Sequence, residues 1–391
     1  MSGVSRTRAG AGVSKFHTPE IVSGRGSFPE AATAIGGLGV QRPLVVSDRT
    51  IEQTPWFGRL MADLGEQGLR PAAYLGVSPN PRAHEVADGF AAYQAHDADG
   101  LVALGGGSVI DAAKGVAVLA SNGGSILEYE GIDMVGRPLP PLVTVPTTAG
   151  SGADVSQFCI VNDPARRTKV TIIGRTLVPN VTVIDPTLLT TVSPEVTAQT
   201  GMDTLTHCIE AYVSLAHGRL TDSLATEALT GVWTNLERLV DDPADTGAGE
   251  EMSLASLRAG MAFTNAILGA THAMSHPVGG HCDAPHGTIN SVLLPHVIRY
   301  NATVCADDFV RLADAVGLST SGDPRTVADR LADAVGALAA RVGMPDTLSP
   351  LGVRAADLDL LTSHALADSC MITNPRRPET SGIVDLYRQA L

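Results

Sequence analysis

The sequence predicts an α/β plus all-α fold, with an N-terminal open parallel α/β domain followed by a C-terminal helical bundle. Three observations carry this. Between about residues 40 and 190, short apolar runs alternate with helical stretches, as strands and helices do in an open α/β sheet. Past Pro194 the strand signal nearly disappears, and Ala, Leu and Val recur at spacings of three and four. At 391 residues and 44% hydrophobic content, the chain is long and apolar enough for two or three domains.

The elements follow in order. A mobile arm is expected over residues 1–12. The predicted strands are PLVVS at 43–47, AAYLG at 72–76, LVAL at 101–104, LVTV at 142–145, VTII at 170–173 and VTVI at 181–184. Several hold β-branched residues in succession, which suits parallel strands buried on both faces. Helical patterns fill 57–68 and 83–94, then 224–239, 327–342 and 358–367. The boundary falls near 190–194, giving domains at 1–190 and 191–391. The polar stretch DDPADTGAGE at 241–250 predicts a turn or surface loop.

Charge and cysteines exclude several classes of function. With 27 basic against 41 acidic residues, the net charge is −14, so no basic footprint exists for nucleic acid. The most apolar stretch, 100–121, is broken by Asp111 and Lys114, which argues against a membrane span. No apolar segment follows the first ten residues, so no secretory signal is expected. Five scattered cysteines without a CxxC pair predict reduced thiols in a cytoplasmic protein. Only three lysines occur (Lys15, Lys114 and Lys169) against 24 arginines.

Residues 100–121 read GLVALGGGSVIDAAKGVAVLAS, a strand ending in Gly105, Gly106 and Gly107 with a helix from about Ser108. Glycine lets the backbone approach a ligand closely, and a helix start offers free N–H groups and a positive dipole end, as a pyrophosphate requires. An ordinary turn explains the segment too, with Ser108 as N-cap and Asp111 as its capping-box partner. Asp48 closes the strand PLVVSD. Its carboxylate suits adenosine ribose hydroxyls and repels a 2′-phosphate, or else it simply caps a loop. A second small-residue loop, PTTAGSG at 146–152, is dense in hydroxyls and glycines.

Five histidines crowd into 25 residues: His272, His276, His281, His286 and His296. Asp203 and His207 stand at i and i+4, as do His272 and His276, so each pair shares one helix face. His286 precedes a glycine at the start of another expected helix. Imidazoles with one carboxylate and no thiolate suit a divalent first-row metal. A surface ion pair accounts for an isolated Asp/His pair equally well, and His296, beside Pro295, fits a satisfied core histidine. His281 stays unassigned.

Four segments taken together, GGGSVIDAAKG (105–115), PTTAGSG (146–152), GMDTLTHCIEAY (201–212) and HAMSHPVGGHCDAPHG (272–287), resemble the signatures of the iron-containing (group III) alcohol dehydrogenase family. Their order and separations match, and the resemblance runs from about Phe16 to the end. It implies a dinucleotide-binding first domain, a helical metal-binding second domain, and hydride transfer between an alcohol carbon and nicotinamide, with a metal as Lewis acid on the substrate oxygen. It makes Asp203, His207, His272 and His286 the ligands of Fe²⁺ or Zn²⁺. It sets His276 beside the nicotinamide, where a histidine that titrates near neutral pH suits a proton relay. Gly106, Gly107, Ser108 and Asp111 belong to the pyrophosphate turn, Asp48 and Asn80 to the adenosine side, and Thr147, Thr148, Ser151 and Lys169 to the cofactor cleft. NAD is the implied cofactor, with NADP as alternative, and a homodimer is expected.

Two departures bear on substrate. Ala153–Asp154 stands where the family often has Ser–Glu, and His281 and Cys282 interrupt the loop between His276 and His286. A small alcohol or aldehyde is the expected substrate, and neither nucleic acid nor membrane is an expected partner. Metal-independent reduction of an unsaturated keto acid, as in maleylacetate reductases, is the alternative, with a dehydroquinate-synthase-like lyase behind it.

Overall fold

A computed structural model describes residues 15–391; the arm expected over 1–12 lies outside the described residues. The first part of the chain runs β1 (Glu20–Ser23), α1 (Glu30–Gly37), β2 (Pro43–Val46), α2 (Arg49–Glu52), α3 (Pro55–Glu66), β3 (Ala72–Tyr74), α4 (Ala83–Ala95), β4 (Gly100–Gly105), α5 (Gly107–Asn122), β5 (Gly131–Ile132), β6 (Leu142–Pro146), β7 (Phe158–Asp163), β8 (Thr168–Ile173) and β9 (Val181–Ile184). Six strands make one sheet in the order β1-β9-β6-β4-β2-β3, all parallel.

Both faces of that sheet are covered, which explains why its strands read as unbroken apolar runs. Leu44, Val46, Leu101 and Ala103 pack with Val109 and Val116 of α5 and Val86 of α4. Their neighbours Val45, Val102 and Leu104 point the other way, onto Ala31 and Ile35 of α1 and Leu60 and Leu64 of α3.

The run at 170–173 does not join the parallel sheet, as the sequence pattern suggests it should. It belongs to a second, three-stranded sheet ordered β5-β8-β7, in which β7 and β8 are antiparallel. β1, β5 and β7 are also strands that the sequence reading passes over. β1 and β5 span only four and two residues, with none buried, and β7 ends in the polar pair Asn162–Asp163.

Strand order creates the crevice that matters. From β2 the chain goes to β3 on one side, then returns through α4 to β4 on the other. The carboxyl ends of β2 and β4 therefore diverge into loops at a topological switch point, where α/β sheets bind ligands.

Helices fill the remainder: α6 (Pro194–Val213), α7 (Arg219–Asp241), α8 (Thr246–Ala266), α9 (Ala270–Cys282), α10 (His286–Ala315), α11 (Pro324–Arg341), α12 (Leu358–Ala367) and α13 (Thr380–Gln389). α6 starts where the boundary is expected, with Ser193 Oγ accepting from Val196 N and Pro194 in the first turn. From Gly201 to Val213 every residue of α6 is buried, so this helix is the axis of the bundle. The loop expected over 241–250 shrinks to residues 242–245. Asp245 caps α8 by accepting from Ala248 N, and TGAGE is already helical because that cap outweighs its two glycines.

Candidate metal and cofactor site

Asp203 and His207 sit one turn apart on α6, and His272 and His276 one turn apart on α9. His286 is the first residue of α10. Gly287 is what allows this: a Cβ there would lie 1.9 Å from Gln199 O, so only glycine lets the start of α10 rest against α6. As a result three imidazoles converge on one carboxylate oxygen. Asp203 Oδ1 lies 3.8 Å from His207 Nε2, 3.6 Å from His272 Nε2 and 3.8 Å from His286 Nε2. The side chains of His207 and His272 are 4% and 2% exposed, but that of His286 is 24% exposed, so the cluster opens on the His286 side. Asn290, one turn after His286, donates its amide to Asp203 Oδ1 at 2.7 Å.

The electrostatics follow from burial and mutual charge. Burial works to raise the Asp203 carboxyl, but the imidazoles of His207, His286 and His272 hold it well below the usual carboxylate range. Burial drives His207 and His286 below their ordinary value although Asp203 opposes it. His272 goes the other way, because bonds to Asp203 and Glu210 outweigh its burial.

Behind the cluster stand two buried carboxylates. Glu210 Oε2 lies 2.6 Å from His272 Nδ1. Asp368, just past α12, takes His276 Nδ1 at 2.7 Å. Cys370 is close enough that His276, Asp368 and Cys370 form a second compact group of metal-ligating types. The Phe263 ring stacks on His207 with centroids 4.4 Å apart and closes that flank.

Across the crevice, α5 begins at Gly107 with Gly106 as N-cap. Ser108 is therefore not the cap, and no capping box with Asp111 forms. Ser108 Oγ instead accepts from Asn80 N at 3.2 Å, which brings the Asn80 loop to the glycine turn. The loop after β6 lies alongside. Thr147 N donates to Gly105 O at 3.1 Å, and Cβ atoms added at Gly106 and Gly107 would meet Thr148 Oγ1 at 3.2 Å and Ser151 Oγ at 2.7 Å. The glycines thus permit a close approach of the two loops. Asp48, two residues past β2, caps α2 through Oδ1, which accepts from Thr50 N and Ile51 N, both at 2.8 Å.

Asp111 turns from the glycine turn toward the second sheet. Its carboxyl takes the N–H of Ile160, and burial pushes it up to about 7 against Lys114 and Lys169. Lys169 of β8 faces α9 so closely that a Cβ at Gly279 would lie 3.0 Å from its Cε. Burial brings its ammonium down to about 8, opposed by Asp203, Asp111 and Asp283.

The other residues that the sequence singles out stay outside the cluster. His281 Nε2 turns to Asp357 Oδ1 at 3.4 Å, and Cys282 Sγ packs beside Gly352. His296 is half-buried and bonded to Gln389. Asp154 is buried against Thr182 and raised to about 6 by that burial, so it is part of the core. Glu210, Asn290, Phe263 and Asp368 were not legible as site residues. Glu210 and Asn290 carry a local signal, three residues after His207 and four after His286 on the same helices. All five cysteines are free thiols, and no helix of the described residues is long and apolar enough to cross a membrane.

Residues 18–186 match the model "Iron-containing alcohol dehydrogenase", and residues 197–391 match "Fe-containing alcohol dehydrogenase family, C-terminal". Alcohol dehydrogenase 4 of Schizosaccharomyces pombe is 37% identical over 380 residues, covering 97% of this chain and 89% of its own length. An NAD-dependent methanol dehydrogenase of Bacillus methanolicus is 33% identical over 377 residues, covering 96% and 99%. The crystal structure of a 1,3-propanediol oxidoreductase superposes with a TM-score of 0.93 at 34% identity, covering 97% of this chain and 100% of that one. With a converging Asp/His cluster opposite a glycine turn, and both halves matched end to end, the chain belongs to the iron-containing alcohol dehydrogenase family.

Proposed function

We propose that this chain oxidises small primary alcohols, or reduces their aldehydes, with NAD and a divalent metal held by Asp203, His207, His272 and His286. Membership of the family makes it an NAD-linked, metal-dependent alcohol oxidoreductase; the residue roles are our assignment. The observation that carries it is the convergence of three Nε2 atoms on Asp203 Oδ1.

The donor set fits such an ion. Asp203 Oδ1 stands 3.6–3.8 Å from each of the three Nε2 atoms, and Asp203, His207 and His272 form a compact group of metal-ligating types, with His286 outside it on the open side. Three neutral imidazoles and one carboxylate leave a net positive site, and both iron and zinc accept these donors. A cation held by these residues would supply Lewis acidity toward the substrate oxygen, and NAD in the cleft would supply the hydride acceptor.

The chain's own residues do the rest. Gly106, Gly107 and Ser108 offer N–H groups at the start of α5 to a pyrophosphate. Thr147, Thr148 and Ser151 wall the cleft, and Lys169 brings an ammonium to it. Asn80 and Asp48 serve the adenosine end. Both backbone donors on Asp48 use Oδ1, which leaves Oδ2 for a ribose hydroxyl and disfavours a 2′-phosphate, hence NAD over NADP. His276, held through Nδ1 by Asp368, presents Nε2 to take the alcohol proton. Asp111 supports the turn from behind through Ile160.

We place the divide between the two domains at about residue 190, and read the protein as a cytoplasmic homodimer. The test is a panel of short primary alcohols and diols offered with NAD and with NADP, before and after chelation and metal add-back. NAD-dependent oxidation that chelation abolishes and metal restores supports the assignment. Turnover that survives exhaustive chelation contradicts it.

A further inference from the structure

We propose that Glu210 is the positioning residue for His272, gripping its Nδ1 and the start of α9 at once so that Nε2 is turned to the metal position. This rests on the ligand assignment above.

Glu210 follows Asp203 and His207 at i+7 and i+3, so all three project from the same face of α6. One helix therefore supplies two ligands and the orienting group for a third. The Glu210 carboxylate is 2% exposed and fully engaged. Oε2 lies 2.6 Å from His272 Nδ1 and 3.1 Å from Gly269 N, and Oε1 takes Thr271 N at 2.6 Å. Gly269 is the N-cap of α9 and has no side chain to cap it, so the carboxylate reaches over from α6 to do so. A buried carboxylate is costly unless so satisfied.

The chemical consequence concerns the ring. An imidazole that donates Nδ1–H to a carboxylate keeps Nε2 as the acceptor and makes it more basic; here that Nε2 faces the Asn290 amide nitrogen at 3.3 Å. Because the same carboxylate anchors the backbone N–H groups at Gly269 and Thr271, ring orientation and helix position are fixed by one group. A cap that only ended a helix would need no bond to the ring.

The experiment uses metal-free wild type, Glu210→Gln and Gly269→Ala. The second variant keeps the carboxylate but sets a methyl carbon 3.0 Å from both Glu210 Oε1 and Asn374 Oδ1, which covers the case in which Glu210→Gln does not fold. Zinc affinity by chelator competition, the visible spectrum of bound Co²⁺ and thermal unfolding of the metal-free chains are the readouts. Glu210→Gln is expected to bind zinc about 10–100-fold more weakly with shifted Co²⁺ bands, and Gly269→Ala to fall between it and wild type. Variants that lose stability yet keep wild-type affinity and unchanged Co²⁺ bands would show a helix cap alone and overturn the proposal. Wild type that takes up no metal would instead sink the ligand assignment on which Glu210's role depends.

Discussion

Nδ1 of His276 lies 2.7 Å from Oδ2 of Asp368, though 92 residues separate them in sequence. The carboxylate fixes which ring nitrogen faces the cleft. Asp368→Asn is expected to lower kcat on the order of 10²-fold, within the range typical of general acid–base groups, with metal content unchanged. Steady-state kinetics paired with metal analysis check this, and lost metal would mean that Asp368 supports the ligand set instead.

Removing His272 should act twice. On the proposed assignment His272→Ala removes a ligand, and it leaves Glu210 buried without the imidazole that balances it. We expect metal loading to be abolished, with a stability loss of about 3–5 kcal/mol, as for a broken buried pair. Full metal content in that variant would refute the ligand assignment.

Gly287→Ala puts a methyl carbon 1.9 Å from Gln199 O, a backbone atom that cannot swing aside. α10 must then retreat from α6, carrying His286 and Asn290 away from Asp203. Metal occupancy should fall even if the protein still folds, as titration of the purified variant would reveal.

Stability should also depend on pH through Asp154. Its folded value of about 6 lies above the ordinary carboxylate value because burial favours the neutral form. Between these two values the folded chain binds more protons than the unfolded one, so this contribution is present at low pH and is lost as pH rises through about 6. The loss amounts to about 3 kcal/mol. Asp154→Asn should flatten the decline in unfolding free energy between pH 4 and 7 relative to wild type. Parallel pH profiles would show that Asp154 ionises as freely in the fold as out of it.

Sequence exposed those parts of the site whose partners are local. Asp203/His207 and His272/His276 are one helical turn apart, so periodicity alone brings each pair to one face, and the glycine turn announces itself after a buried strand. Asp368 gave no such signal, since only the packing of α12 and the turn beyond it against α9 brings it to His276. Ser108 shows the reverse failure. Its place after three glycines suggests an N-cap, but the helix starts at Gly107 and the hydroxyl bonds Asn80 instead. The run at 170–173 has the same β-branched pattern as the parallel strands, and its pairing with β7 and β5 sets it in another sheet.

The most direct test of the central claim is metal analysis of protein purified without chelator, in wild type and Asp203→Asn. Near one divalent ion per chain in wild type, sharply reduced in the variant and matched by lost NAD-dependent alcohol oxidation, is the predicted result. Wild-type protein without metal that still turns over alcohol would contradict it.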